Sequence, residues 1–542
     1  MRKGILLLSV LMAAGWARLA LGCTNILVTK GASADGSVII SYSVDGEFHP
    51  VLRAIPAADH KPGDTYEIKD WHGAVRATIP QVPHTYAVCG IMNEHQLAIG
   101  ETTFDGRLEL RDTREGISYW PLMEITLQRA RTAREAIKVM TDLVAQYGYA
   151  STGETFSIAD PNEAWILEMI GRGDGVKGAL WVAERVPDGM IAAHANKSRI
   201  GSFPLHEPDT CLYSPDVIDF AVAKGYYNPK ADGPFRFCDA YCPATPEKLR
   251  YTSTRVWSIF RRAAPSLNLS MDRSRGAKGA EPYPLWIKAD TKLSVQDVMA
   301  LMRDHYEGTP LDMTKGIDAG PFGSPLRARP ITFTLDGTAY AWERPISTQQ
   351  TGCSYVAEMR SFLPDPVGGV LWYGVDDTYT SCYFPLYAGI TAVPPSFARG
   401  SLHRFSWDSA WWVFNVVANY AQLKFSYMVK DIVKVQQELE GNFFALQPAV
   451  EKTAAEMLKT DPARARRFLT DYSVSSGEQV YARWKDLAET LFTKYNDGYV
   501  QDDKGEAQEL GYPEEWLRDV VKARPEQFKL PAQSSAQSPK SY

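Results

Sequence analysis

Polar and apolar residues alternate from Thr24 to Lys30, with β-branched side chains at several places, and a second such run follows from Ser37 to Val44. Period-2 alternation of this kind predicts two half-buried strands. Their connection, Gly31-Ala32-Ser33-Ala34-Asp35-Gly36, ends in an Asp-Gly turn signal, so the pair reads as a β-hairpin. Further strands are expected at Ala87 to Met92, Gln96 to Thr102, Glu154 to Ala159 and Glu163 to Ile170, the last two joined by the turn Asp160-Pro161-Asn162. Helical periodicity enters between them. Thr132-Ala133-Arg134-Glu135 reads as a capping box, and Ala136, Val139, Met140, Leu143, Val144 and Tyr147 follow at 3.6-residue spacing until Gly148. A second box, Ser294-Val295-Gln296-Asp297, opens a helix toward Tyr306.

From Ile331 to Tyr387 the chain returns to strand-forming residues, with turns at Asp336-Gly337 and Gly368-Gly369. After Ser401 the period changes to helical. Trp407 to Glu440 is one continuous helical pattern and Pro448 to about Tyr499 continues it; its aromatics, including Trp411, Phe414 and Phe425, read as core packing. The segment from Ala532 to Tyr542 has no core-forming residue and reads as a disordered tail. Runs of strands with separate helical pairs predict an α+β layered fold, not a doubly wound parallel sheet.

The N-terminal segment changes the picture. Met1-Arg2-Lys3 is cationic, Ile5 to Ala14 is apolar, and Ala20-Leu21-Gly22 supplies small residues before Cys23, the pattern of a secretory signal cleaved after Gly22. The apolar run is short against the roughly 20 residues a spanning helix needs. The expected organisation is therefore a signal peptide over 1–22, a catalytic domain over 23–400, a helical region over 401–531 and the tail over 532–542. Lipidation of Cys23 is the rival reading of this junction, but a lipoprotein signal wants Leu where Ala20 stands, and a strand follows the cysteine in place of a polar tether.

A formal net charge of −6 with no basic run in the mature chain argues against nucleic-acid binding. No stable membrane partner is expected, and the oligomeric state is not legible. After export the six cysteines besides Cys23 are free to pair, with fifteen connectivities open. Cys238 and Cys242 form a lone pair without a second pair or a nearby His, so no metal and no cofactor are expected.

Cleavage before Cys23 would put a thiol and an α-amine on one residue. A reference thiol ionises at about 8.5 and an α-amine at about 7.7 to 8.0, so the amine can take the thiol proton near neutrality. If Lys30 stands opposite Ser37, the same register places Cys23 opposite Val44 and Asp45 beside the new amine, where a carboxylate can hold or orient it.

Cys23-Thr24-Asn25, Ala34-Asp35-Gly36-Ser37, Asp45, Met92 to Thr103, Glu154 to Gly171 and His194-Ala195-Asn196 together resemble the dipeptidases among the N-terminal nucleophile hydrolases, relatives of choloylglycine hydrolases and penicillin V acylases. The resemblance covers most of residues 23 to about 390. It implies a four-layer αββα sandwich with a C-terminal helical extension, Cys23 as nucleophile, Asp45 on its amine, Asn196 as oxyanion donor and Arg255 supporting the thiolate. By position alone, Arg255 reads as a helix-surface charge and Asn196 as a loop polar group. Two departures stand out. Tyr42 occupies the place of an arginine in the acylase relatives, and Glu101-Thr102 stands near their second oxyanion asparagine. An acidic side chain there suits the free ammonium of a short peptide, so Glu101 and Thr102 are the candidate substrate contacts. The implied function is exported cysteine dipeptidase. The alternatives are an amidase of the choloylglycine and penicillin acylase type and a non-catalytic lipoprotein.

Overall fold

The computed structural model describes residues 22–46, 51–70 and 73–531. The expected signal segment, up to Leu21, and the expected tail from Ala532 lie outside the described residues. The first hairpin forms as its alternation predicts: β1 is Thr24–Val28 and β2 is Val38–Asp45. They pair antiparallel, with Thr24 opposite Ser43 and Asn25 opposite Tyr42, the register read from the sequence. Every residue of both strands is buried, because the hairpin lies in the middle of a seven-stranded sheet covered on both faces.

In that sheet β1 is flanked by Ile191–His194, and β2 by Thr351–Met359. A second, eight-stranded antiparallel sheet places Ala98–Thr103 beside Glu154–Ala159 and the latter beside Ala164–Ile170. The sheets face one another, with β1 and β2 against Ala98–Thr103. Tyr119–Leu127 and Ala133–Tyr147 cover the second sheet, while Val295–Met302 and the C-terminal helices cover the first. The result is an αββα layering, the α+β class expected.

A buried polar chain crosses between the sheets. The Ser157 hydroxyl lies 2.7 Å from His194 Nε2 and 3.1 Å from the Asn25 amide, and Thr102 Oγ1 lies 2.7 Å from His194 Nδ1. Burial and the nearby Arg199 hold the His194 imidazole well below its usual range, so it is neutral and can serve both neighbours.

The capping signals act locally, with adjustments. Thr132 Oγ1 accepts from the Glu135 N–H, but the Glu135 carboxylate reaches back to the Arg131 N–H, one residue earlier than a reciprocal box requires. The Ser294–Asp297 box closes in both directions. Its helix stops at Met302, short of Tyr306, which adopts a positive φ of 67° and is buried with its hydroxyl on the Arg344 carbonyl.

The continuous helix expected from Trp407 is divided. Ala410–Ala421 is followed by a 3-10 turn at Gln422–Lys424, then Phe425–Leu458 runs through Pro448, and Pro462–Lys494 follows. Pro448 costs one helical hydrogen bond without ending the helix, because the packed face on either side sustains it. The aromatics pack as expected: Phe414 stacks on Trp484 with ring centroids 4.7 Å apart. Glu440 ties this layer to the sheet, accepting from Arg303 Nη1 at 3.1 Å and from the Tyr383 N–H at 2.8 Å. Glu440→Ala is expected to lower stability by roughly 2 kcal/mol, read as a fall in the denaturation midpoint.

Candidate active site

Cys23 sits at the head of β1, 3% exposed, and all seven cysteines are buried free thiols. Its Sγ donates to Glu101 Oε1 at 3.7 Å, and the Tyr42 hydroxyl donates to the same oxygen at 2.7 Å. Glu101 Oε2 is buried with no partner. Burial, followed by the Glu101 and Asp45 carboxylates, pushes the thiol well up, while the Asp45 N–H and Arg344 pull the other way. With Gly22 attached, Cys23 nitrogen is a peptide amide, and the sulfur keeps its proton. Burial likewise raises the Glu101 carboxyl to about 7. Thr103 Oγ1 donates to Glu154 Oε1 at 3.2 Å, which brings a second buried carboxyl into the neighbourhood; burial and the charge of Glu101 raise it well above its usual range.

The Gly22–Cys23 junction is clamped from several sides. The Gly22 N–H donates to the Asp45 carbonyl at 3.1 Å, and Arg344 Nη2 donates both to the Gly22 carbonyl and to Asp45 Oδ2. Asp45 also accepts from Thr351 Oγ1 at 2.7 Å and from Ser43 Oγ at 3.1 Å. Hairpin register brings Asp45 here, as its spacing from Cys23 predicts, and pairing with Thr351–Met359 supplies Thr351.

Arg255 departs from the surface reading. It lies on the inward face of the Pro246–Ala263 helix and is fully buried. Nη1 donates to the Cys23 carbonyl at 2.6 Å and to Thr24 Oγ1 at 2.9 Å, and Nη2 donates to Asn196 Oδ1 at 2.8 Å. Burial and neighbouring Arg344 lower it to about 9, still cationic at neutral pH. Its bonds run to the cysteine's backbone, to Thr24 and to Asn196, not to the sulfur. Asn196 has a φ of 57°, and its Nδ2 donates to the Thr103 carbonyl at 2.7 Å, beside the strand that carries Glu101.

Cys23, Asp45, Asn196, Arg255 and Glu101 therefore meet in one place. Thr102 is a correction: its hydroxyl is engaged by His194 Nδ1 in the buried polar chain between the sheets, not by the cysteine. Arg344 and Tyr42 are the site residues that sequence reasoning did not assign. Trp342-Glu343-Arg344-Pro345 carries no motif, and only the fold brings it to Asp45.

A family model described as Peptidase family C69 matches residues 22–438. A probable dipeptidase of Salmonella dublin is 27% identical over 406 residues, spanning 71% of this chain and 85% of that protein. One of Latilactobacillus sakei is 26% identical over 415 residues, spanning 73% and 80%. Among solved structures, penicillin V acylase from Agrobacterium tumefaciens matches with 13% identity and a TM-score of 0.30, covering 67% of this chain and 86% of that one.

Proposed function

The chain belongs to peptidase family C69 and is a peptidase, and from that premise we propose that it is an exported dipeptidase using Cys23 as an N-terminal nucleophile. The observation that carries this reading is the clamp on the Gly22–Cys23 junction: the nucleophile's sulfur lies beside Glu101, and its backbone nitrogen lies where the Asp45 strand can receive an amine. Dipeptidase names among the relatives support the substrate class.

Removal of the segment ending at Gly22 converts the Cys23 amide into an amine. That amine takes the Sγ proton, and Asp45 holds the resulting ammonium. The thiolate attacks the scissile carbonyl, and the negative charge that develops on its oxygen needs an aligned donor, the role we give to the Asn196 amide. Arg255 orients that amide and fixes the Cys23 carbonyl. The ammonium then protonates the leaving amine, the acyl group remains on Sγ, and water releases it.

Glu101 holds the substrate's free ammonium, with Oε2 available for it. This disfavours an acylase-type amidase, whose N-acylated substrate would set a neutral group against a carboxylate. Lipidation is disfavoured because Cys23 would have to leave the interior. Since Glu101 ionises at about 7, the KM for dipeptides is expected to fall as pH rises through about 7. Glu101→Gln should remove that limb and raise KM by about 10- to 100-fold. A Glu101→Gln enzyme with unchanged KM would sink this assignment.

The function is tested by N-terminal sequencing of the mature chain together with a dipeptide hydrolysis assay on wild type and Cys23→Ala. Cys23 as the first residue, with hydrolysis lost in the variant, is the expected result. A mature chain that starts elsewhere, or hydrolysis that survives the substitution, overturns it.

A further inference from the structure

The guanidinium of Arg344 is 1% exposed, yet its Nε has no hydrogen-bond partner, while Nη2 on the same edge donates to the Gly22 carbonyl. That edge faces the chain at Gly22: a methyl group placed there would lie 2.8 Å from Arg344 Nη2, 3.2 Å from Arg344 Nε and 2.7 Å from the Tyr251 hydroxyl. Arg329 Nε is a second buried donor without a partner, and the charges of Arg344 and Arg329 act on one another. A buried unpaired donor on a permanent cation is costly, so its persistence at the junction points to a ligand.

We infer that the Nε–Nη2 edge of Arg344 receives the C-terminal carboxylate of the substrate, making the site one that reads both ends of a dipeptide. The inference rests on the cysteine-dipeptidase reading above. Gly22 shows what an internal peptide carbonyl achieves at this edge: one bond, with Nε left over. A carboxylate brings two oxygens and fits the planar fork on both nitrogens, the geometry for which arginine is suited and lysine is not.

The local charge agrees. Arg344, Arg255 and Arg329 bring three cations to the junction, and Asp45 is the carboxylate that Arg344 pairs with there. When the segment ending at Gly22 departs, its carbonyl is lost from Nη2, and that donor joins Nε in lacking an acceptor on this edge. Spacing agrees too. Gly22 is the immediate neighbour of Cys23, so an anchor at its carbonyl lies one residue from the nucleophile. Two extended residues span at most about 7 Å. With Glu101 beside the sulfur taking the ammonium and Arg344 beside Gly22 taking the carboxylate, the two anchors both lie next to the nucleophile, as a substrate this short requires.

The test compares L-alanyl-L-alanine with its C-terminal amide on the mature wild-type enzyme, then on Arg344→Lys. The acid is expected to exceed the amide in kcat/KM by on the order of 100-fold in the wild type. Arg344→Lys keeps a cation for Asp45 but loses the fork, and should bring the two substrates within about fivefold of each other. Equal turnover of acid and amide by the wild type overturns the inference, as does a folded Arg344→Lys enzyme that keeps the full ratio. Should that variant fail to fold, the wild-type pair decides alone. Activity surviving in Cys23→Ala would remove the dipeptidase reading and this inference together, whereas Cys23-dependent hydrolysis that ignores the carboxylate removes only the inference.

Discussion

Cys23→Ala is expected to lower kcat for dipeptide hydrolysis by about 10⁴-fold or more, because the substitution removes the atom that forms the acyl-enzyme in the proposed mechanism. The fold should survive it. The bond the thiol donates, to Glu101 Oε1, is long, and that oxygen keeps Tyr42 as a donor, so stability should stay within about 1 kcal/mol of wild type. Activity and denaturation midpoint measured on the same preparation separate the two effects. The same chemistry predicts an activation step. With Gly22 attached, the sulfur has no amine to take its proton, and burial with two carboxylates nearby opposes its ionisation. Iodoacetamide should therefore label the mature enzyme's Cys23 far faster than the precursor's.

Arg344→Met is expected to cost about 3–5 kcal/mol of stability, the range for removing one partner of a buried ion pair. Arg344 and Asp45 have side chains 1% and 2% exposed, and with Gly22 still attached the substitution leaves the Asp45 carboxylate with only the Thr351 and Ser43 hydroxyls. Adding Asp45→Asn should recover part of the loss, since the stranded charge disappears. Chemical denaturation of the wild type, both single variants and the double variant measures the coupling; a double variant no better than Arg344→Met would mean that the lost guanidinium packing, not the charge, dominates.

The two variants test links of different kinds. Cys23→Ala tests the proposed chemistry of the side chain itself, whereas Arg344 joins the strand carrying Asp45 to Gly22 and, on the inference above, makes stability and substrate geometry depend on the same side chain. This coupling explains why the site is so thoroughly buried. On the proposed mechanism the Cys23 nitrogen must be held beside Asp45, and the interior fixes Asp45 itself through Thr351 and Arg344.

Much of this was legible in the order of residues. Alternation in Thr24 to Lys30 and Ser37 to Val44, together with their turn, determined the first hairpin, its register and hence the approach of Asp45 to Cys23. Ser294–Asp297 announced a helix start, because a cap is local chemistry. The family resemblance added Asn196 and Arg255, which spacing alone assigned to a loop and a surface. What the sequence could not decide was which faces meet. Helix periodicity cannot say that the Arg255 face turns inward, and strand alternation separates Glu101 from Thr102 without saying which one meets the sulfur. Arg344 lies 299 residues from its partner Asp45, in a stretch without a motif. Only packing of the two sheets and their covering helices brings such groups together, since a buried charge is placed by its partners and those partners come from distant parts of the chain.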